Sequence, residues 1–256
     1  MPNWCQNYLT VSITNNSSIE DLDNFIKFNK SDEEECELDF NKIIPMPTEI
    51  KNTSSPNNNK DQKLIDKYGV DNWYDWSVKF WGTKWNVSDV FVNRDESYIT
   101  YSFDTAWAPP IPWIMKVIQK YSNFDITLNY EEPAMDFGGK IEYIHGQLNL
   151  IEYELSVYIW ENCDKDSVRE VINNYISSEN IILNSDIDDK IDEYVDDIVN
   201  ELDSNGIVEN AHCIGEYIKE FIMKILNEKV NENINTDDIS KLEYDSNGVE
   251  IKDLSL

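Results

Sequence analysis

Acidic residues recur at helical spacing in the C-terminal third of the sequence. Between positions 187 and 202 carboxylates recur every three to four residues beside an apolar stripe, so they share the opposite face of one helix. The predicted acidic face consists of Asp188, Asp189, Asp192, Glu193, Asp196, Asp197 and Glu201. Successive charges lie roughly 5 Å apart, on the scale of the phosphate repeat of a nucleic acid strand. Such a face either imitates nucleic acid toward a basic groove or is an ordinary solvated surface.

Aromatic residues form the second group that suggests a site. Six of the eight tryptophans fall between Trp73 and Trp113. Large aromatic side chains are mostly buried, so a core is the first expectation for this block. The alternative is a stacking surface for a nucleotide-like small molecule, and its residues would be Trp81, Lys84, Trp85 and Trp107. In a core, the lysine would instead extend its aliphatic stem over the rings.

Catalytic and metal sites have weak support. Strand ends would have to bring Asp104, Glu131, Glu132 and Asp136 together around Mg²⁺, and their spacing matches no known metal motif. The sequence has two histidines and no phosphate loop, dinucleotide-binding glycine pattern or nucleophile elbow. Pro2 would become a nucleophilic amine only if Met1 were removed. We therefore expect a non-enzymatic protein with no catalytic residue, metal or cofactor.

The charge of the chain restricts its partners. A formal net charge of -29 and a pI near 4.2 repel nucleic acid and anionic membranes and attract basic surfaces. We therefore expect a basic protein as partner, and neither direct nucleic acid binding nor membrane binding. The four cysteines are scattered, which favours reduced, mostly buried thiols and a cytoplasmic location. The sequence shows no signal peptide and no apolar stretch of membrane-spanning length.

Hydrophobic periodicity predicts the elements that position these residues. Period-two alternation predicts the strands, and apolar residues at helical spacing predict the helices. The predicted strands are 5–13, 38–44, 87–92, 97–103, 125–130, 140–144 and 147–155, and the main helices are 19–28, 64–68, 73–80 and 113–121. Ser17 with Glu20 is read as a capping box, Asn72 as the N-cap of helix 73–80, and 48–61 as a loop. Two helices on one face of a mainly antiparallel sheet predict an α+β, ferredoxin-like split βαβ sandwich with an aromatic-rich insertion.

Charge and composition predict a second domain. Residues 161–256 contain no tryptophan and hold 25 Asp/Glu against 8 Lys/Arg, whereas residues 1–160 hold 25 against 13. Three apolar stripes at helical spacing, over 168–176, 187–202 and 214–225, indicate packed helices and not disorder. The expected organisation is a ferredoxin-like domain over 1–160 and a small acidic α-helical domain over 161–256.

Five segments in the first 150 residues resemble a known family. They are Met1-Pro2-Asn3-Trp4-Cys5-Gln6-Asn7, Phe40-Asn41-Lys42-Ile43-Ile44-Pro45-Met46-Pro47, Trp81-Gly82-Thr83-Lys84-Trp85-Asn86, Phe103-Asp104-Thr105-Ala106-Trp107-Ala108-Pro109-Pro110 and Tyr130-Glu131-Glu132-Pro133. They look like the phage- and plasmid-encoded proteins with a YubB-type ferredoxin-like domain. The resemblance implies that fold and an origin on mobile elements. It brings no reaction with it, and it does not extend to the acidic C-terminal part.

Taken together, these features predict an inhibitor of a host nucleic-acid-targeting defence system, of the anti-CRISPR or anti-restriction type. Its acidic face would occupy the nucleic-acid-binding groove of a basic host protein, a defence effector, in the cytoplasm of the host cell. The alternative function is a small-ligand binding module that uses the aromatic cluster of Trp81, Trp85 and Trp107.

Overall fold

The computed structural model describes residues 2–32, 36–56, 60–183 and 187–240, with side chains described except at Asp188 and 231–240. The chain divides into two compact units, Met1–Leu155 and Ser156–Leu256. The boundary expected after residue 160 falls within a helix that spans Leu155–Asn162.

The N-terminal unit is a six-stranded sheet with helices. Its strands are β1 (Trp4–Ser12), β2 (Ser88–Arg94), β3 (Tyr98–Ala106), β4 (Asp125–Glu132), β5 (Phe137–Ile144) and β6 (Gln147–Glu154), and its helices are α1 (Ile19–Asn29), α2 (Thr48–Lys51), α3 (Gln62–Tyr68), α4 (Trp73–Phe80) and α5 (Ile111–Lys120). The strand order is β2-β3-β1-β4-β5-β6, and every neighbouring pair is antiparallel. The first four strands with α1 and α5 form the ferredoxin-like arrangement, which confirms the predicted α+β fold. The β5–β6 hairpin extends the sheet.

The central strand β1 shows why the period-two pattern is informative. Cys5, Leu9 and Val11 are fully buried on one side of the strand, whereas Tyr8 on the other side is exposed. Asn7 is also buried, and its amide donates to Cys5 O at 2.8 Å and to the Thr105 hydroxyl at 2.9 Å. These bonds satisfy the N–H donors of the amide where water is excluded, whereas Asn7 Oδ1 is buried without a hydrogen-bond partner among the described residues. Burial raises the pKa of the Cys5 thiol to about 12, which keeps it protonated.

Local signals for turns and caps are partly confirmed. Asn72 accepts from Asp75 N at 2.9 Å and begins α4, as predicted. His145 and Gly146 both adopt positive φ, which suits the two-residue turn joining β5 to β6. The cap of α1 is Ser18 with Asp21, so the prediction of Ser17 with Glu20 was wrong by one residue.

The predicted strand over 38–44 is wrong. Phe40–Lys42 forms a short 3-10 helix that begins after Asp39, whose side chain accepts from Asn41 N at 2.8 Å. Phe40 is fully buried and packs its ring 4.5 Å from that of Trp113. Leu38 is fully buried too, and two buried residues at an interval of two look like a strand in the sequence. A segment this short has too few periods to distinguish a strand from a turn. The predicted loop over 48–61 likewise contains α2.

The C-terminal unit is helical. Its helices are α6 (Leu155–Asn162), α7 (Lys165–Ser178), α8 (Ile187–Ser204) and α9 (Gly215–Ser240), with a 3-10 turn at Ala211–Ile214. The three predicted stripes lie on α7, α8 and α9, and their apolar residues build one aliphatic core, represented by Ile172, Ile198 and Ile218 at 0% exposure. Within the described ranges, no helix is long and apolar enough to cross a membrane.

Candidate functional site

The acidic face lies on α8, opposite its buried stripe. The apolar side of the helix packs into the aliphatic core through Ile187, Ile191, Val195, Ile198 and Leu202. The acidic residues on the solvent side are exposed, and they are Asp189, Asp192, Glu193, Asp196, Asp197 and Glu201. The backbone of Asp188 is part of α8, but its side chain lies outside the described residues. The helical period thus places apolar residues on one side of α8 and charged residues on the other, as the sequence predicted.

Two members of the acidic face have partners within the unit. Lys219 Nζ donates to Asp192 Oδ1 at 2.7 Å, and the Tyr175 hydroxyl donates to Asp197 Oδ2 at 2.5 Å. Burial and the Asp197 carboxylate raise the pKa of Tyr175, so the phenol stays protonated and remains a donor. These two carboxylates help to hold α7 and α9 against α8.

The rest of the acidic face is exposed to solvent. None of the ion pairs found among the described residues involves Asp189, Glu193, Asp196 or Glu201. Asp189, Glu193 and Asp196 follow one another at four and three residues, so they lie in one row along the helix. This row is the part of the predicted partner site that is available to a basic surface.

Trp81, one of the residues of the predicted ligand site, is part of the core. Its side chain is 4% exposed, its indole N–H donates to Ile44 O at 2.9 Å, and its ring meets Trp76 edge-on at 5.4 Å. Trp81 caps the C-terminal end of α4, which points its ring inward. The expectation that Trp81 contributes to a stacking surface is therefore wrong, whereas the expectation of an aromatic core holds for Trp76, Trp81 and Trp113.

Trp85 and Trp107 lie at the surface and flank Lys84. The Lys84 ammonium lies 4.3 Å from the Trp85 ring centroid and 4.7 Å from that of Trp107. The two indoles are 38% and 42% exposed, so the expectation that the whole aromatic block is core is wrong here. Trp4, which sequence reasoning missed, adds a third exposed ring 6.1 Å from Trp85. We call Trp4, Lys84, Trp85 and Trp107 the tryptophan cluster.

The backbone holds this cluster in place at some cost. Trp107 has φ +68°, a left-handed conformation that costs a bulky residue of order 1–3 kcal/mol, and its N–H donates to Asn3 O at 2.9 Å. The Thr83 hydroxyl donates to Ala106 O at 3.0 Å, which ties the Lys84 loop to the end of β3. Gly82 has φ +91°, and an added Cβ would lie 2.5 Å from Pro112 Cδ. Only glycine lets the two segments approach this closely.

The four carboxylates weighed as a metal site do not converge. Asp104 and Glu131 flank Gln6 on the open side of the sheet, whereas Glu132 is 2% exposed on the opposite, buried side. Asp136 lies in the turn before β5. Burial, with the nearby Asp89 carboxylate, raises the pKa of Asp104. In the part of the chain that the structure describes, no group of three or more His, Cys, Asp and Glu residues could hold a metal ion.

Comparisons with known proteins cover only part of the chain. Residues 80–166 match the family described as a ferredoxin-like domain in Api92-like protein. The crystal structure of protein Api92 from Yersinia pseudotuberculosis is similar at 24% sequence identity and a TM-score of 0.37. That alignment covers 52% of this chain and 45% of the Api92 chain. No curated protein matches. The matched region contains Lys84, Trp85 and Trp107 but none of α8.

Proposed function

We propose that this chain is a non-enzymatic protein, encoded by a phage or other mobile element, that inhibits a nucleic-acid-targeting defence system of its host. The exposed row of Asp189, Glu193 and Asp196, without ion-pair partners among the described residues, is the observation that supports this function. The row would enter a basic groove that otherwise binds nucleic acid, in the manner of an anti-CRISPR or anti-restriction protein. The location of action would be the host cytoplasm.

Electrostatics favours a basic protein as the partner of this surface. A helix repeats its charged face about every 5.4 Å, the same order as the ~3.4 Å rise per charge in one strand of B-DNA. The carboxylates would take the place of nucleic acid phosphates in the basic groove of the partner. The helix is already ordered, so it loses little conformational freedom on binding. Association driven this way is fast at low salt and weakens as salt screens the charges.

The experiment for this function combines capture with competition. The tagged full-length protein is incubated with host lysate, and bound proteins are compared at about 50 and 500 mM salt, where the Debye length falls from well above to well below 10 Å. A captured protein supports the proposal only if it also binds duplex DNA or RNA and if the chain displaces that nucleic acid. A partner that binds the chain and nucleic acid simultaneously would contradict it.

A second function is favoured by the tryptophan cluster. Three tryptophans, each more than a third exposed, surround one lysine, and one of them keeps a strained backbone conformation. Exposed aromatic groups of this size mark binding surfaces, and Lys84 would contact the anionic group of a planar ligand. The proposed ligand class is a nucleotide-like small molecule.

Adenosine 5′-monophosphate and adenosine test this second function. If the cluster binds such ligands, the monophosphate should quench tryptophan fluorescence more strongly than adenosine, and Trp107→Leu and Lys84→Gln should each remove the difference. Trp113→Phe, a change in the buried core, is the matched control and should retain it. Equal quenching by both compounds in all variants would rule out the cluster as an anion-recognising site.

A further inference from the structure

A cavity of about 520 Å³ lies within the helical unit, away from the acidic face. It is bordered by α6, α7 and α9, and the residues that matter for its chemistry are Trp160, Tyr217, Phe221, Lys165, Arg169 and Lys224. Three aromatic rings and three cations thus meet in a unit whose remaining surface is strongly acidic. None of these residues belongs to α8, so this cavity is separate from the function proposed above.

The aromatic side chains form a compact wall. The rings of Trp160 and Tyr217 are stacked, with centroids 5.4 Å apart and an interplanar angle of 14°. Phe221 meets Trp160 edge-on at 5.6 Å. All three are partly buried at the border of an otherwise aliphatic core. An apolar or planar group can therefore pack against this wall without further rearrangement of the rings.

Two of the cations are held against the wall. The Lys165 ammonium lies 4.3 Å from the Trp160 ring centroid, and it donates to the carbonyl of Trp160 and to Cys163 Sγ. The Arg169 guanidinium lies 4.9 Å from the Phe221 centroid, and Nη1 donates to Glu228 Oε2 at 2.9 Å. These contacts restrict the rotamers of both head groups, and both residues line the cavity.

Lys224 differs from these two cations. It lines the cavity from α9, it is exposed, and none of the ion pairs among the described residues includes it. Lys165, Arg169 and Lys224 account for three of the eight Lys and Arg residues in 161–256, where 25 Asp and Glu residues occur. So strong a local concentration of cations is unexpected for a solvated acidic surface, and it points to an anionic occupant.

The charge balance restricts which anion fits. Asp166 and Glu220 also line the cavity, and Glu228 pairs with Arg169, so three carboxylates accompany the three cations. A polyphosphate would meet these carboxylates as well as the field of the acidic unit, and both oppose it. A single negative charge meets less of this repulsion, and the cavity lining offers Lys224 for the charge and Tyr217 and Phe221 for an apolar body. We propose that the cavity binds small organic monoanions with a planar apolar body, such as aromatic carboxylates.

The matched probes 2-naphthoate and 2-naphthamide test this site, since they share one ring system and differ in charge. Isothermal titration calorimetry on the full-length protein should show 2-naphthoate binding about tenfold or more tightly than 2-naphthamide, as expected for a charge-assisted contact. The Lys224→Gln variant leaves the Arg169–Glu228 pair intact and should remove most of that preference. The double variant Arg169→Gln/Lys224→Gln should bind both probes equally weakly.

The control removes two charges of the same unit outside the cavity, as Lys190→Gln/Lys229→Gln, and should keep the preference for 2-naphthoate. Circular dichroism of every variant shows whether the helices remain folded. Nitrogen-15 NMR should show the Trp160 indole resonance, assigned with Trp160→Phe, shifting on addition of 2-naphthoate. Equal affinity for both probes, undiminished binding in Lys224→Gln, or no binding at millimolar probe would overturn the proposal.

Discussion

The two units bury different kinds of side chain. In the N-terminal unit the core is rich in aromatic residues and includes Trp76, Trp81 and Trp113, packed between helices and a sheet. In the C-terminal unit the fully buried positions are aliphatic, as at Ile172, Ile198 and Ile218. Among the described residues of this unit, no aromatic side chain is fully buried. The stability of the N-terminal unit therefore depends on a few large side chains, and that of the C-terminal unit on many smaller aliphatic ones.

This difference extends to the surfaces. Aromatic residues of the N-terminal unit continue from the core to the outside, where Trp85 and Trp107 flank Lys84. In the C-terminal unit the helical period separates aliphatic from acidic residues so strictly that α8 carries a continuous charged row. The two units therefore expose different groups, aromatic rings beside a lysine in one and a row of carboxylates in the other.

The largest effect is expected from truncating a core tryptophan. Trp81→Ala should lower the free energy of unfolding by about 3–5 kcal/mol, since it leaves a cavity and an orphaned carbonyl at Ile44. Trp107→Ala, at a half-exposed ring, should cost about 1 kcal/mol or less. Thermal and urea unfolding of both variants measures the contrast. Equal losses of unfolding free energy would mean that Trp107 contributes as much to stability as the buried Trp81.

An aliphatic truncation tests the other unit. Ile218→Ala removes a side chain with 0% exposure and should cost about 2–5 kcal/mol, whereas Ile218→Val should cost about 0.5–1.5 kcal/mol. Amide hydrogen exchange locates the effect, because protection should fall in α8 and α9 and remain in β1 and β3. Loss of protection in the sheet as well would show that the two units do not unfold separately.

Substitution of Gly82 tests the close contact between the Gly82 segment and Pro112 at the tryptophan cluster. Gly82→Ala combines φ +91° with a contact of 2.5 Å to Pro112 Cδ, so it should destabilise the N-terminal unit by about 1–3 kcal/mol. Gly206→Ala is the matched control, since it shares a positive φ but has nothing within 4 Å, and its cost should be closer to 1 kcal/mol. If the unfolding midpoint falls equally in both variants, the contact between Gly82 and Pro112 adds nothing to the cost, which would contradict this prediction.

The smallest effect concerns pH. The Arg169 guanidinium beside Glu228 lowers the pKa of that carboxyl below its usual value of about 4.3. A lowered folded pKa stabilises the fold above the unfolded pKa, and this stabilisation is lost as pH falls through the folded value. The difference in melting temperature between the parent and Glu228→Gln should therefore be present at pH 7 and close near pH 3.

Glu209→Gln is the control for general charge removal, because Glu209 takes part in none of the ion pairs among the described residues. The difference in melting temperature between this control and the parent should not show the same dependence on pH. A Glu228→Gln difference that persists unchanged to pH 3 would show that the ion pair with Arg169 does not form in solution.

Local patterns predicted the elements well where one physical rule dominates. Alternation marked β1, and the amphipathic stripe marked α8, because each has enough periods to be distinctive. The prediction for 38–44 failed because Leu38 and Phe40 are buried by tertiary packing from a turn, and two buried residues at an interval of two imitate a strand. Sequence also predicted Asn72 as the cap of α4, since an N-cap needs only its nearest neighbours.

The candidate sites were harder to predict. Residue type does not distinguish Trp81 from Trp85, which lie four positions apart, because the end of α4 and the positive φ of Gly82 decide which ring points inward. The cavity at Trp160 depends on α9 packing beside α7, which no local pattern reveals. Its one local signal was the helical spacing of Lys165 and Arg169 next to Trp160 in an acidic region.

The central claim is that the row of Asp189, Glu193 and Asp196 binds a basic groove, and charge reversal tests it most directly. The variant with lysine at all three positions is compared with Asp66→Lys/Glu96→Lys/Glu154→Lys, which reverses three exposed carboxylates of the N-terminal unit. Dissociation constants for the captured partner are measured at low salt, with circular dichroism as the check on folding. We expect the row variant to lose binding by about a hundredfold or more and to stop displacing nucleic acid, while the control loses less than about tenfold. Equal losses in the two folded variants would mean that net charge alone attracts the partner and would contradict a specific role for α8.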